Sequence, residues 1–420
     1  MKRRDFLKTA LGSGLGFAAA PRSLLAAPSG VSAAGGARVV VIGGGMGGST
    51  VAKYLRLWSG GTIDVTLIER RGRYDSHILS NLILNGERTP ESLRFGHGTL
   101  ASRYRVKVVN GEVGSIDAVA RTVTMRSGER FGYERLVVAP GVDFDRLPGL
   151  ESLSRATKIS QAWGSAAETV ALREMIRSMP DGGTVALTIP AAPFRGPAAP
   201  YERACVLARW LQRDKPGSRI LVLDANPDIV AASGPFTEAF ERDYRDVLEY
   251  RPGVAVHAAD PGTMRLHTSE GSVRADVINV IPAQRAAAVL RDNGLLAAGR
   301  RWAEVDPLSY ESRIAPDVHV IGDAVAGRQP RTGYLANQQA KVCAGAIVAL
   351  LAGRPVDPMP MTHSLSYAVL GPGTIGRTLE IFAYDRGSRS MATVRSVART
   401  LREPARMAKW YATLMDDTFA

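Results

Sequence analysis

At 420 residues, with 45% hydrophobic and 22% charged side chains, the chain has the composition of an ordinary globular protein and the length for two or three cores. Two cysteines exclude a disulfide framework, and no His/Cys/Asp spacing marks a metal site. The formal charge of +13 suits an acidic protein partner or an anionic membrane; without zinc-finger spacing or a basic stretch interleaved with aromatics, nucleic acid is the weakest candidate.

The first segment reads Lys2-Arg3-Arg4-Asp5-Phe6-Leu7-Lys8, followed by an apolar run over residues 9–20 and by small-residue tracts, Leu25-Ala26-Ala27 and Val31-Ser32-Ala33, where cleavage would fit. This layout predicts a twin-arginine signal peptide over residues 1–33, and hence a periplasmic protein exported with its cofactor already in place. The apolar run is shorter than the roughly 20 residues a spanning helix needs, so no transmembrane anchor is expected.

Residues 38–42 read as a short buried strand, and Gly43-Gly44-Gly45-Met46-Gly47-Gly48 leads into a helix expected over residues 49–58. Gly43 permits the tight turn, Gly45 lets the backbone approach a pyrophosphate, and Gly48 lets helix and strand pack. The helix N-terminus offers N–H groups to the phosphates. A second strand over residues 63–68 ends at Glu69, 21 residues beyond Gly48, where a carboxylate can accept hydrogen bonds from an adenosine ribose. Strand, glycine loop, helix and acidic strand end together predict a dinucleotide site. Further on, residues 135–138 run into Ala139-Pro140-Gly141 as a crossover, and a strand over residues 318–321 delivers Asp323 to the ribityl chain of FAD. The predicted fold is α/β: two Rossmann-like dinucleotide-binding domains of the glutathione-reductase-like kind, plus a small C-terminal interface region. FAD-domain residues are 36–150 and 286–355, the central NAD-like domain is 151–285, and the interface region is 356–420.

The central domain opens with a strand over residues 183–189, a crossover helix over 201–213 and a strand over 219–224. A nicotinamide-dependent enzyme would carry a second glycine-rich loop after the first strand. Here the chain reads Pro190-Ala191-Ala192-Pro193-Phe194-Arg195-Gly196-Pro197. The prolines remove N–H donors that a phosphate needs, and Phe194 and Arg195 fill its space, so no NAD(P) is expected.

The stretches VVVIGGGMGGSTVAKYLRL, PAAPFR with PYERA, VIGDA, TGYLANQQAKV and WYATLMDDTF resemble the flavoprotein subunit of flavocytochrome c sulfide dehydrogenase, a relative of the sulfide:quinone reductases. The resemblance spans essentially the whole chain after the leader. It implies FAD in the first domain, a vestigial nucleotide fold facing the flavin, and a C-terminal region that closes the site and meets a c-type cytochrome. The cofactor-binding set it implies, with the motifs above, is Gly43, Gly45, Gly48, Glu69, His77, Asn81, Val113, Ala139, Gly141 and Asp323.

Three positions depart from that family's pattern. Its redox disulfide joins a cysteine after PFR to one before a Tyr in the C-terminal region; here those positions are Gly196 and Ser366, and neither can take up sulfide sulfur. The cysteines that are present, Cys205 and Cys343, lie in helical patterns and read as buried packing. The family's flavin-linking cysteine, in a segment ending Leu-Ser-Asn, is replaced by His77. An imidazole nitrogen can also bond the flavin 8α carbon; otherwise His77 only packs near the ring.

Arg195, Glu202 and Arg203 are expected to line the space over the flavin, with a surface ion pair as the alternative for Glu202 and Arg203. His97 and His363 could face the ring, whereas His257, His267 and His319 sit in strand-like contexts. The arginines between Met391 and Arg406 read as an interface or a solvated helix face. The implied activity is an FAD-dependent oxidoreductase passing electrons from a small donor to a cytochrome. The donor is sulfide or another reduced sulfur compound, or a non-sulfur molecule; a further alternative is a catalytically reduced electron-transfer subunit. Arg195, Gly196 and Ser366 mark where the redox chemistry of the family would lie.

Overall fold

Val39, Val40, Val41 and Ile42 are β-branched and uncharged, which suits a strand buried on both faces. In the computed structural model, which describes residues 36–151 and 158–420, they form the centre of a parallel sheet as β1 (Arg38–Ile42). The export signal predicted over residues 1–33 lies outside the described residues. Along the chain follow α1 (Met46–Trp58), β2 (Asp64–Glu69), β3 (Lys107–Asn110) and β4 (Arg135–Val138). The central residues supply β5 (Ile159–Ser160), β6 (Thr184–Ile189), α2 (Ala199–Asp214), β7 (Arg219–Asp224), β8 (Leu248–Pro252) and β9 (Val277–Val280). Then come β10 (Val318–Val320), α3 (Gly333–Leu351), the strands β11 (Met361–Gly371), β12 (Thr374–Asp385) and β13 (Ser390–Leu401), and α4 (Pro404–Phe419).

Two five-stranded sheets result, ordered β10-β4-β1-β2-β3 and β5-β9-β6-β7-β8. Every pairing in both is parallel. Parallel neighbours require crossovers, so helices cover the sheet faces and the strands read as apolar runs. Because β10 joins β4 only after the whole central sheet has been laid down, the first domain is discontinuous. The two predicted crossover helices start earlier than read from sequence, at Met46 and Ala199, since glycine and proline at a first helical turn have no N–H bond to lose there.

The stretch from Met391 to Arg406, read as an interface or a helix face, is for most of its length the strand β13. Thr393, Val394 and Val397 are β-branched and favour extended backbone, and pairing with β12 decides the outcome. Strands β11, β12 and β13 form an antiparallel sheet in which Ser364, Glu380 and Ser396 lie opposite one another, as do Ser366, Thr378 and Ala398.

Helix α4 buries Met407, Tyr411, Leu414, Met415 and Phe419 on one side, the 3.6-residue spacing expected of an amphipathic helix. Lys53 of α1 locks its last turn, donating to the carbonyls of Asp416 (3.2 Å), Asp417 (3.0 Å) and Ala420 (2.6 Å), at the helix end where carbonyls run short of intrahelical donors. The Asp417 carboxylate accepts from the Tyr54 hydroxyl (2.6 Å) and the Asn337 amide (2.8 Å) and pairs with Lys341 at 2.7 Å. Burial alone would raise this carboxyl, but Lys341 and Tyr54 outweigh burial and hold it below its ordinary value of 3.8. Its stabilisation is therefore fully present above 3.8 and is lost as pH falls through the lower, folded value. Asp417→Asn should be about 1–2 kcal/mol less stable than the parent at neutral pH. That difference should vanish on acidification through the carboxylate range; denaturant melts at a series of pH values check it, and a pH-independent difference would refute the assignment.

Candidate active site

The turn from β1 into the first turn of α1 is shaped by contacts with the protein itself at two glycines. At Gly43, with φ of +95°, a Cβ would lie 2.4 Å from the Ala139 carbonyl oxygen; at Gly48 it would lie 1.7 Å from that of Gly43. Gly45 differs: the nearest protein atoms to an added Cβ are Tyr74 ring carbons at 3.6 and 3.8 Å, an ordinary contact. Protein packing therefore does not demand glycine there, although the residue lines a large cavity. Glu69 ties the end of β2 to the loop, accepting from the Gly44 N–H at 2.6 Å and the Arg71 N–H at 2.8 Å. His97, a residue that could face the flavin, braces the back of the loop, donating from Nε2 to the Gly44 carbonyl at 2.8 Å.

The cavity measures about 1300 Å³, more than the ~300–1,000 Å³ of ordinary small-molecule sites. Of the residues expected to hold a dinucleotide, Gly43, Gly45, Glu69, His77, Val113, Ala139, Gly141 and Asp323 line it, and so do Arg195, Gly196 and Ser366. Gly48 is buried in packing, the role expected of it. Asn81 is not part of the wall; it bridges domains. Its amide donates to Glu202 (2.8 Å) and to the Ala199 carbonyl (2.9 Å), and its carbonyl accepts from Arg203 (2.9 Å).

Glu202 and Arg203 are not a surface ion pair. They are 6% and 1% exposed, on the first turns of α2, and each bonds Asn81. Glu202 accepts from Asn81 and from the Val369 N–H at 2.8 Å, so it joins α2 to β11. Arg203 donates to Asn81 and, at 2.7 Å, to Asn279 of β9, and its guanidinium lies over the Trp163 ring at 4.6 Å. Burial raises Glu202 and lowers Arg203 to about 9. Sequence reading misses Asn279; an amide within the otherwise apolar run of β9, fully buried in the fold, is the signal that could have found it.

Among the described residues, no carboxylate is bonded to Arg195. Its side chain reaches the Trp163 carbonyl and lies 5.7 Å from the Phe144 ring centroid, and its backbone N–H donates to Gln284 at 2.9 Å. Burial lowers its pKa against the attraction of Asp323 and Tyr74. Gly196 has φ of +68° and donates to the Arg331 carbonyl at 2.7 Å. A cysteine there would sit in the left-handed region with its Cβ 3.2 Å from that of Ala199, so the loop backbone is adapted to glycine. His77 is held well below the usual histidine value by burial and by Arg195 and Arg71, and is neutral at physiological pH. His363 lies outside the wall, hydrogen-bonded to the Tyr334 hydroxyl at 2.9 Å. Cys205 and Cys343 are buried free thiols, each raised by burial.

In the central domain Asp224 stands at the end of β7, the counterpart of Glu69 in the first. All its capacity is used internally. One oxygen accepts from the hydroxyls of Tyr201 (2.7 Å) and Tyr250 (2.9 Å), the other from the backbone N–H (2.9 Å) and side-chain amide (2.6 Å) of Asn226. The Asn226 amide also donates to the Pro190 carbonyl at 3.0 Å, which fixes the proline loop where a phosphate loop would lie.

Residues 169–282 match the model for the central region of the sulfide dehydrogenase (flavocytochrome c) flavoprotein chain, and residues 37–175 match the pyridine nucleotide-disulphide oxidoreductase model. The chain resembles the flavoprotein of flavocytochrome c sulfide dehydrogenase. It is also related to sulfide:quinone reductases: it is 34% identical over 103 residues to the sulfide-quinone reductase of Aquifex aeolicus, 24% of each chain. An NADH dehydrogenase-like protein of Mycobacterium tuberculosis is 27% identical over 258 residues, 57% of this chain; the match spans 61% of that relative's length. The crystal structure of the sulfide:quinone oxidoreductase of Aquifex aeolicus superimposes with a TM-score of 0.72 at 20% identity, covering 91% of this chain and 92% of that one. Putidaredoxin reductase, in its covalent complex with putidaredoxin, gives 0.64 at 16% identity over 91% and 94%. Both share the two-dinucleotide-domain fold described above. The wall fits the FAD that such a fold implies: a glycine loop open at Gly45, a carboxylate at the end of β2, and a second cavity-lining acid, Asp323, ahead of the N-terminus of α3.

Proposed function

We propose that the chain is a periplasmic FAD-dependent oxidoreductase that takes electrons from a small molecule other than NAD(P)H and passes them to a c-type cytochrome. One observation carries this reading: a single cavity runs from the β1–α1 glycine loop to Arg195, Gly196 and Ser366, while Asp224 at the end of β7 is saturated by Tyr201, Tyr250 and Asn226. FAD, when bound, accepts two electrons and releases them singly to a haem protein. The glycine loop and Glu69 would hold its adenosine diphosphate half, and Asp323 with the first turn of α3 its ribityl chain and ring. Arg195 places positive charge in the cavity, which favours negative charge developing there. Without thiols at Gly196 and Ser366, the donor meets the flavin with no sulfur relay. The twin-arginine signal supports the periplasmic location, and the flavocytochrome-type central region supports the cytochrome partner.

Anaerobic stopped-flow mixing tests the donor. NADH should leave the flavin band unbleached on the timescale of turnover, and the cognate donor should bleach it and support cytochrome c reduction; rapid bleaching by NADH would overturn the reading. Acid precipitation settles the role of His77, since colour in the washed pellet identifies a bond from the imidazole to the flavin and colour wholly in the supernatant identifies packing alone.

A further inference from the structure

The part of the cavity beyond Arg195 and Gly196 is walled by one face of the β11–β13 sheet. Successive strand residues alternate between faces, so the register fixes which side chains share this one: Ser364, Glu380 and Ser396 across one row, Ser366 and Thr378 across the next. Directly paired residues have Cβ atoms about 5 Å apart, so these five form a contiguous patch. All five line the cavity. Ser364 spends its hydroxyl on Thr332 at 3.2 Å. Among the described residues, the side chains of Ser366, Thr378, Glu380 and Ser396 have no hydrogen-bond or ion-pair partner, so their donors and acceptors are available to an occupant.

We infer that this face binds a small neutral polyhydroxylated molecule, with Glu380 and the hydroxyls of Ser366, Thr378 and Ser396 bonding its hydroxyl groups. Serine and threonine hydroxyls both donate and accept, as alcohols do, whereas an inorganic sulfide offers them almost nothing and a quinone ring asks for apolar walls. The other cavity carboxylates near this face are already engaged: Glu202 with Asn81 and Val369, Glu168 with the Gly164 N–H at 3.2 Å. Arg195 and Arg203 line the same cavity and disfavour a cation. Burial raises Glu380, moving it toward the neutral acid that can both donate and accept. The inference rests on the flavoprotein reading, since the occupant is the compound that meets the flavin.

Isothermal titration calorimetry on the purified full chain with glycerol, erythritol and D-glucose, and with methylammonium and hydrosulfide as contrasts, tests it. At least one polyol should bind, and Glu380→Ala and Ser396→Ala should each weaken that binding about tenfold, while Glu380→Gln weakens it less. Ser396 is exposed at the edge of the sheet, so its variant will fold even if Glu380→Ala does not, and melting temperatures verify this. No heat with any polyol, binding unaffected by these substitutions, or tighter binding of methylammonium or hydrosulfide would each overturn the inference. Flavin content is read separately from the absorption spectrum: a colourless protein that still binds a polyol through Glu380 would refute the flavoprotein reading and leave the polyol site standing.

Discussion

Gly45→Ala should yield a folded protein without flavin, whereas Gly48→Ala should fail to fold. The two glycines stand three residues apart, Gly45 as the N-cap of α1 and Gly48 in its first turn, and the contrast follows from what a Cβ would meet. At Gly48 it would lie 1.7 Å from the Gly43 carbonyl oxygen, a backbone atom held by the packing of β1 against α1. Backbone cannot step aside, so relief means separating strand from helix, a loss of about 3 kcal/mol or more. At Gly45 the added methyl meets only Tyr74 ring carbons at 3.6 and 3.8 Å. As the N-cap of α1 the residue carries no side-chain cap to lose, and stability should change by less than about 1 kcal/mol. What the methyl would obstruct is the close approach of a pyrophosphate to the loop. Absorbance of the purified variants gives flavin content and urea melts give stability. Full flavin retention in Gly45→Ala would mean that the loop does not hold a dinucleotide.

Arg203→Met should be the most destabilising single substitution in the network joining the three parts of the chain, by about 3–5 kcal/mol. The guanidinium is 1% exposed and holds the Asn81 and Asn279 carbonyl groups, at 2.9 and 2.7 Å, while lying over Trp163. Methionine fills much of the volume but donates nothing. It leaves two buried acceptors unpaired and Glu202 without a neighbouring positive charge. Lysine would keep the charge but lacks the planar fork that reaches two amides and stacks on an indole, so Arg203→Lys should recover only a minor part. The Arg203→Met, Glu202→Gln double variant should lose less than the sum of the single losses, because neutralising Glu202 removes part of the penalty. A shift in the urea midpoint worth under about 1 kcal/mol for Arg203→Met would show the network to be dispensable.

Glu202 and Arg203 also show where sequence reading stops. Both stand in a block that marks them for attention, yet nothing local separates a buried brace from an exposed ion pair, because their partners Asn81, Asn279 and Val369 are remote along the chain. The contacts of Asn81 and His97 are hidden for the same reason: only packing turns Asn81 toward α2 and His97 toward the back of the glycine loop. The polar face holding Glu380 carries a period-2 signal in sequence, but without the pairing register it could not be told which side met the cavity.

The sequence by itself determined the elements around the nucleotide loops and their chemistry: apolar β1 followed by glycines that a tight turn and close helix packing require, Glu69 at the end of β2, and prolines where a second nucleotide loop would need N–H donors. These are local rules, in which a residue's own φ range or hydrogen-bonding capacity restricts what the backbone can do. The tertiary structure alone decided which of those residues share a space. It set Arg195, Gly196 and Ser366 around one cavity, closed Asp224 with two tyrosines and an asparagine, and gave Gly196 a left-handed backbone that favours glycine. Such outcomes depend on contacts between residues tens to hundreds of positions apart, which the order of residues encodes only through the packing of the whole chain.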